Sequence, residues 1–417
     1  MTAQRTGVQP GVTATTFVPS PTISGRPGAR ARTEGPVFLL DAFRPFYLGG
    51  AACAALGVPL WVGMWHSGLF APALPPMFWH AHEMVFGFAA AIIIGFLMTA
   101  ARNWTGLPLP AGVPLALLAV LWLAGRAAMY FAYGVPTAVL DSLLLVIVAG
   151  VLARKFIRAR SWCSMPLVVV LSLLATANIT FHAALRWSLP ISPLQAIEAG
   201  LFLVVLIEMI VGGRVVPGFS ANALPRARQW RPAWLHRGSF TLAAGAFAAD
   251  LFHLPPPLTG VLALVAGAAV AVQALGWNPL AARVNPMLWV LHAAYAWIPI
   301  GLLLLGLASL GVVPRSAAIH ALAVGSMAGL IVGMITRTAL GHSGRKVRAG
   351  RAEGVMFVLI LLAAALRVMA ALLPAAYVPG MFAAAAAWSA AFLLYLFAYA
   401  PMLLGMRPLR HDAAAPL

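Results

Sequence analysis

Charge is scarce in this chain: 9% of its 417 residues are Asp, Glu, Lys or Arg. A soluble domain carries roughly 25%, so a water-soluble enzyme is excluded. Acidic residues are the scarcest, nine against 27 basic ones. Cysteine occurs twice, Cys53 in an apolar run and Cys163 in a basic loop, with no CxxC, so a disulfide scaffold is excluded. The apolar stretches lack period-two alternation, which excludes a transmembrane barrel. There is no Gly-Lys-Ser/Thr loop and no GxGxxG after a strand, and no Ser/His/Asp hydrolase can be argued. Residues 1–34 contain Pro, Gly, Thr and Arg but no apolar run. They read as a solvated tail without the apolar region of a signal peptide.

What is present is apolar: 62% of the chain. One helix crosses a bilayer with roughly 20 apolar residues, so the chain has enough for about a dozen crossings. The expected fold is an all-α polytopic membrane protein over residues 35–406, with a tail at 407–417. Twelve spans are predicted at 45–65, 79–101, 112–133, 136–153, 166–187, 193–213, 235–253, 257–274, 286–309, 316–338, 353–373 and 379–405.

The net charge of +18 would suggest nucleic acid in a soluble protein. In a membrane protein it marks cytoplasmic loops instead, and no nucleic-acid partner is expected. With a cytoplasmic N-terminus, 23 of the 27 basic residues fall in the two tails and the alternate loops of that side. Both termini are therefore expected inside, with an even number of spans between them. Arg126, Arg186, Arg315 and Arg367 break the trend and lie toward the outer side.

A long period runs through the chain. Pro45, Pro166 and Pro286 begin spans 1, 5 and 9; Pro136, Pro257 and Pro379 begin spans 4, 8 and 12. Spans 2, 6 and 10 end in Arg102–Gly106, Arg214–Gly218 and Arg337–Gly341, the same Arg-x-x-x-Gly spacing. Three marks in step predict three four-helix units, and sites in repeated bundles lie between units.

Ten histidines are present. His66, His236 and His411 read as ordinary interfacial polarity, and His342 lies near an inner loop. His80, His82, His182, His253, His292 and His320 lie in or at the edges of spans, where an ionisable group defaults to a functional hypothesis. Neutral imidazole suits Cu, Fe and Zn, so His80, His82, His182, His292 and His320 are the candidate metal ligands. His80 and His82, two residues apart, point roughly 200° apart on a helix. They serve two neighbouring sites, or one if the helix start unwinds. Glu83 is a natural partner for an imidazole N–H.

His82 precedes Gly87, Ala91 and Gly95; His320 precedes Gly325, Gly329 and Gly333. Such ridges allow close helix contact or admit a flat cofactor. A shared outer depth makes His82 and His320 the first expected pair to hold a cofactor, with His80 next. His292 lies deeper and is assigned to a second metal or haem face. Arg126, Arg186, Arg315 and Arg367 need anions, either acidic side chains or haem propionates.

Several runs together carry a resemblance. They are Asp41-Ala42-Phe43-Arg44-Pro45-Phe46, Trp79-His80-Ala81-His82-Glu83-Met84, Asn103-Trp104-Thr105-Gly106, Asn285-Pro286-Met287-Leu288-Trp289 with His292 and Tyr295, and Arg337 with Gly341-His342-Ser343-Gly344-Arg345. In this combination the chain resembles the NnrS family over about residues 38–405. The resemblance implies a bacterial inner-membrane protein containing haem b and copper, linked to nitric oxide and to resistance against nitrosative stress. A haem-copper reading also resembles the respiratory oxidase and nitric oxide reductase superfamily, but this chain has no adjacent His-His pair and no His-x-x-x-Tyr. Nitric oxide is then the expected ligand, and any redox activity needs an electron donor from outside the chain. The alternative is a copper or small-solute transporter without haem, with Met77, Met84 and Met98 as soft ligands along span 2.

Overall fold

The computed structural model describes residues 36–69 and 71–405; the expected tails, with Arg407, Arg410 and His411, lie outside the described residues. Among these residues the chain forms twelve long helices and no strand. They are α1 Phe43–Ser67, α2 Pro76–Thr105, α3 Val113–Phe131, α4 Val135–Arg158, α5 Met165–Arg186, α6 Pro193–Ala223, α7 Ala233–Leu251, α8 Pro256–Gly276, α9 Pro286–Ser309, α10 Arg315–His342, α11 Arg351–Leu372 and α12 Tyr377–Leu403. Eleven are long and apolar enough to cross a membrane. The twelfth, α7, has 19 residues and carries His236, Arg237 and Asp250 among its apolar ones. The chain is an all-α polytopic membrane protein.

Proline and polar caps start many of these helices. Pro76, Pro114, Pro136, Pro166, Pro193, Pro256 and Pro286 occupy first-turn positions, where the missing N–H has no intrahelical use. Ser192 and Gln195 form a reciprocal capping box at α6, and the Asn285 side chain caps α9. Gly106 closes α2 in the left-handed conformation, φ 69°, which glycine adopts without a Cβ clash. The other two Arg-x-x-x-Gly marks do not end their helices: Gly218 and Gly341 lie within α6 and α10. Helix α6 runs ten residues past its expected end at 213, carrying Arg214 and Pro217 inside it.

Consecutive helices pack side by side, and α12 returns against α1. The second helix of each four-helix unit sits innermost: 89% of the most apolar stretch of α2 is buried, against 22% for α3. Helix α6 touches both α2 and α10, so the three units meet along these inner helices. The small-residue ridges serve this packing. A Cβ on Gly95 would come 3.0 Å from Phe46 Cβ, and one on Gly329 2.8 Å from Ala294 Cβ. Gly325 and Gly333 face Trp297 and Leu291, and Gly87 faces Arg126. These faces meet protein, and a cofactor ring cannot lie against them.

Helices α2 and α10 share one irregularity. Each contains a π-helical segment, Glu83–Ala89 in α2 and Ala321–Ala328 in α10, beginning directly after His82 and His320. Such segments insert an extra residue per turn and recur at functional sites. Here they turn the first part of each helix relative to the rest, and both occur at the end of the bundle that carries the histidines.

Candidate functional site

At the histidine end a cavity of 420 Å³ opens between α1, α2, α6, α10, α11 and α12. Two of its lining residues are His80 and His320, contributed by the first and third units. The His80 ring stacks on Trp61, centroids 4.2 Å apart and planes 21° apart. Its Nδ1 is buried without a hydrogen-bond partner. His320 Nδ1 donates to the Ser316 carbonyl at 2.7 Å. That bond keeps the proton on Nδ1 and the lone pair on Nε2, the arrangement that orients metal-ligating histidines. Met77, Met84, Met327 and Met381 also line this space.

Two arginines flank the cavity. Arg315 pairs with Glu198 at 2.7 Å and with Asp250 at 2.5 Å. Arg367 has no carboxylate: Nη2 donates to Ser316 Oγ at 3.2 Å, and its guanidinium lies 5.7 Å from the Tyr377 ring centre. Its Nη1 is buried with no partner. A buried guanidinium nitrogen without a partner is costly, and an anion in the cavity would satisfy it.

A second cluster lies between α2, α3, α4 and α5. His82 Nδ1 is 3.2 Å from Glu83 Oε1, and His82 Nε2 is 2.9 Å from Asn178 Oδ1 and 3.1 Å from Asp141 Oδ2. His182 Nε2 lies 3.0 Å from the same Asp141 oxygen, to which Asn178 donates at 2.8 Å. Arg126 bonds Glu83 at 2.7 Å and Asp141 through Nη2. With neutral imidazoles, two carboxylates face one guanidinium, leaving the cluster one positive charge short. Both His82 nitrogens face oxygen acceptors, so an imidazolium or a bound cation completes it. His82, Asp141 and His182 offer ligand atoms within 4.8 Å of one another. Two imidazoles and a carboxylate suit Zn, Fe or Cu.

These placements redistribute the residues singled out in the sequence. His80, not His82, shares the cavity with His320. The expected His82–His320 pair is not brought together, because His82 is fully buried among Asp141, Asn178 and His182. The 200° offset between His80 and His82 is what sends them to two sites. Glu83 does bond the His82 ring. Arg126 and Arg315 hold acidic side chains. Arg186 is exposed and, with His182, lines a separate 510 Å³ hollow. His292 bonds Ser220 Oγ at 2.8 Å, with Trp277 beside it; it belongs to no group of three candidate metal ligands among the described residues. His253 is exposed and bonds Gln195.

Asn178 was invisible to a search for titratable groups. Its signal was a carboxamide inside an apolar run, four residues before His182. The role of Ser316 was also missed, since a serine at a helix start reads as a surface residue until its carbonyl is seen to hold His320.

No curated protein matches this chain. The sequence profile described as NnrS protein matches residues 37–407, so that the two histidine sites, the arginines beside them and all twelve helices fall within the match, and the chain belongs to the NnrS family.

Proposed function

We propose that this protein holds haem b in the cavity between His80 and His320, carries copper at His82, Asp141 and His182, and binds or turns over nitric oxide to counter nitrosative stress. The observation that carries the reading is the meeting in one cavity of His80, His320 and Arg367, whose buried Nη1 has no partner. Ligand pockets span roughly 300–1,000 Å³, and 420 Å³ falls in that range. Imidazoles from two different units would hold the group, with His320 oriented by the Ser316 carbonyl. Arg367 fits a propionate through charge-assisted bonds. Bound haem would supply an iron that takes nitric oxide; the chain's own part is to orient the ligands, neutralise the anionic groups and keep water out with Trp61 and Trp388. At the second site, Asp141 holds both histidines in register, and Arg126 draws off part of its charge. The basic loops favour a cytoplasmic location for both termini in an inner membrane.

A second reading has its own support. Four methionines and two histidines around one cavity also form a soft donor set, which suits a copper path without haem. An absorption spectrum of the purified protein, with metal content measured on the same sample, separates the two. A Soret band with iron near one or two per chain supports haem. Copper alone, with no Soret band, supports the path.

A further inference from the structure

Five carboxyls are held by arginine among the described residues: Asp41 by Arg102, Glu83 and Asp141 by Arg126, Glu198 and Asp250 by Arg315. Glu353 caps the start of α11 and bonds Tyr399. Glu208 differs from all of these. It lies midway along α6 and receives one hydrogen bond, from Ser326 Oγ at 2.5 Å. Its other oxygen, Oε1, is buried with no partner. Ile92, Ile207 and Leu330 are among the apolar residues around it. A carboxylate with no cation in such surroundings is too costly to persist, so the residue is held as the neutral acid.

Its position gives that proton a direction. Ser326 belongs to the π-helical segment of α10, six residues after His320, roughly 9 Å further into the bundle. The neighbouring Met327 lines the haem cavity. On the other side stands Tyr295, whose ring packs on Gly212, one turn from Glu208. The Tyr295 hydroxyl is buried on the side of Gln273 and Glu208. Gln273 Nε2 donates to His236 Nδ1 at 3.1 Å, and its Oε1 accepts from Ser239. His236 lies in the first turn of α7, at the arginine-rich end, and is part-exposed.

We propose that Glu208 is a proton carrier for the cavity, loaded from the arginine-rich end through His236, Gln273 and Tyr295. The assignment of a destination rests on the haem reading above. When an outside one-electron donor reduces a centre in the cavity, one negative charge is added there. The Glu208 O–H bond breaks and its proton moves toward that charge past Ser326. The carboxylate then takes a proton from the Tyr295 hydroxyl; Tyr295 regains one from the His236 end, and His236, which is part-exposed, regains its own from water. One electron and one proton enter per cycle. The titratable group facing Glu208 from α9 is Tyr295 and from α1 is Tyr47, which bonds Thr338; α2 and α10 present only apolar side chains and Ser326 beside it.

Two measurements on the full chain test this. A hydrophobic carbodiimide reacts with protonated carboxyls in apolar surroundings; it should label Glu208, and the label should vanish in Glu208→Gln. A redox-difference infrared spectrum should show a protonated-carboxyl C=O band that changes when dithionite reduces the protein. Glu208→Gln should lose that band while keeping the Soret absorption, and Glu208→Asp should restore a shifted one. An unlabelled Glu208, or an identical infrared difference in Glu208→Gln, overturns the proposal. A preparation without any Soret band overturns the haem reading, and the proton's destination with it.

Discussion

At the scale of single residues, partners decide which polar groups are available for chemistry. Arg126 and Arg367 sit at corresponding places in α3 and α11, the third helices of their units. Arg126 is satisfied by Glu83 and Asp141; Arg367 keeps a buried nitrogen free. The sequence placed both arginines against the charge trend but could not separate them, because the difference lies in carboxylates contributed by other helices. Removing one partner of a buried pair leaves an uncompensated charge and costs roughly 3–5 kcal/mol. Asp141→Ala should therefore lower the thermal unfolding temperature of the detergent-solubilised protein clearly and remove bound copper. Arg367→Gln should leave the unfolding temperature of the cofactor-free protein nearly unchanged, since no carboxylate loses its partner. Equal destabilisation by the two would mean that Arg367 has an internal counter-charge.

At the scale of elements, α2 and α10 carry the site, and their π-helical segments set its aim. Each adds a residue to the turn after His82 or His320. Deleting one residue within Glu83–Ala89 would restore regular α-helix and rotate Pro76–His82 by about 100° against the lower part of α2. His80 would leave the cavity and His82 would leave Asp141. The variant should still reach the membrane but lose haem; full retention of haem per chain would show that the segment does not set the aim. Span positions were readable from apolar runs because the bilayer requires them. The His80–His320 pairing was not, because depth along a helix is countable from sequence while facing depends on a π turn that leaves no mark in composition. The small-residue ridges were visible too, yet only the facing side chains, Trp297 and Ala294 among them, settle that they hold helices together.

For the whole molecule, three units of four helices bring their inner helices together and place the histidine sites at one end, with the basic loops at the other. The period of proline marks already indicated this organisation, and α6 extends beyond its expected end because Arg214 and Pro217 are carried in its last turns rather than in a loop. Orientation can be read with the two native cysteines. Cys163 is exposed in the basic loop between α4 and α5, and Cys53 lies within α1. A membrane-impermeant maleimide should label Cys163 in inverted vesicles and not in intact cells. Labelling in intact cells would reverse the assignment of sides.

The central claim is that His80 and His320, contributed by different units, hold one haem. Its most direct test is the absorption spectrum and haem content of the purified protein beside those of His80→Ala, His320→Ala and His82→Ala. The wild type should show a Soret band, the first two variants should lose most of it or shift it, and His82→Ala should keep it. A Soret band that survives unchanged in both His80→Ala and His320→Ala, or that disappears only in His82→Ala, would contradict the claim.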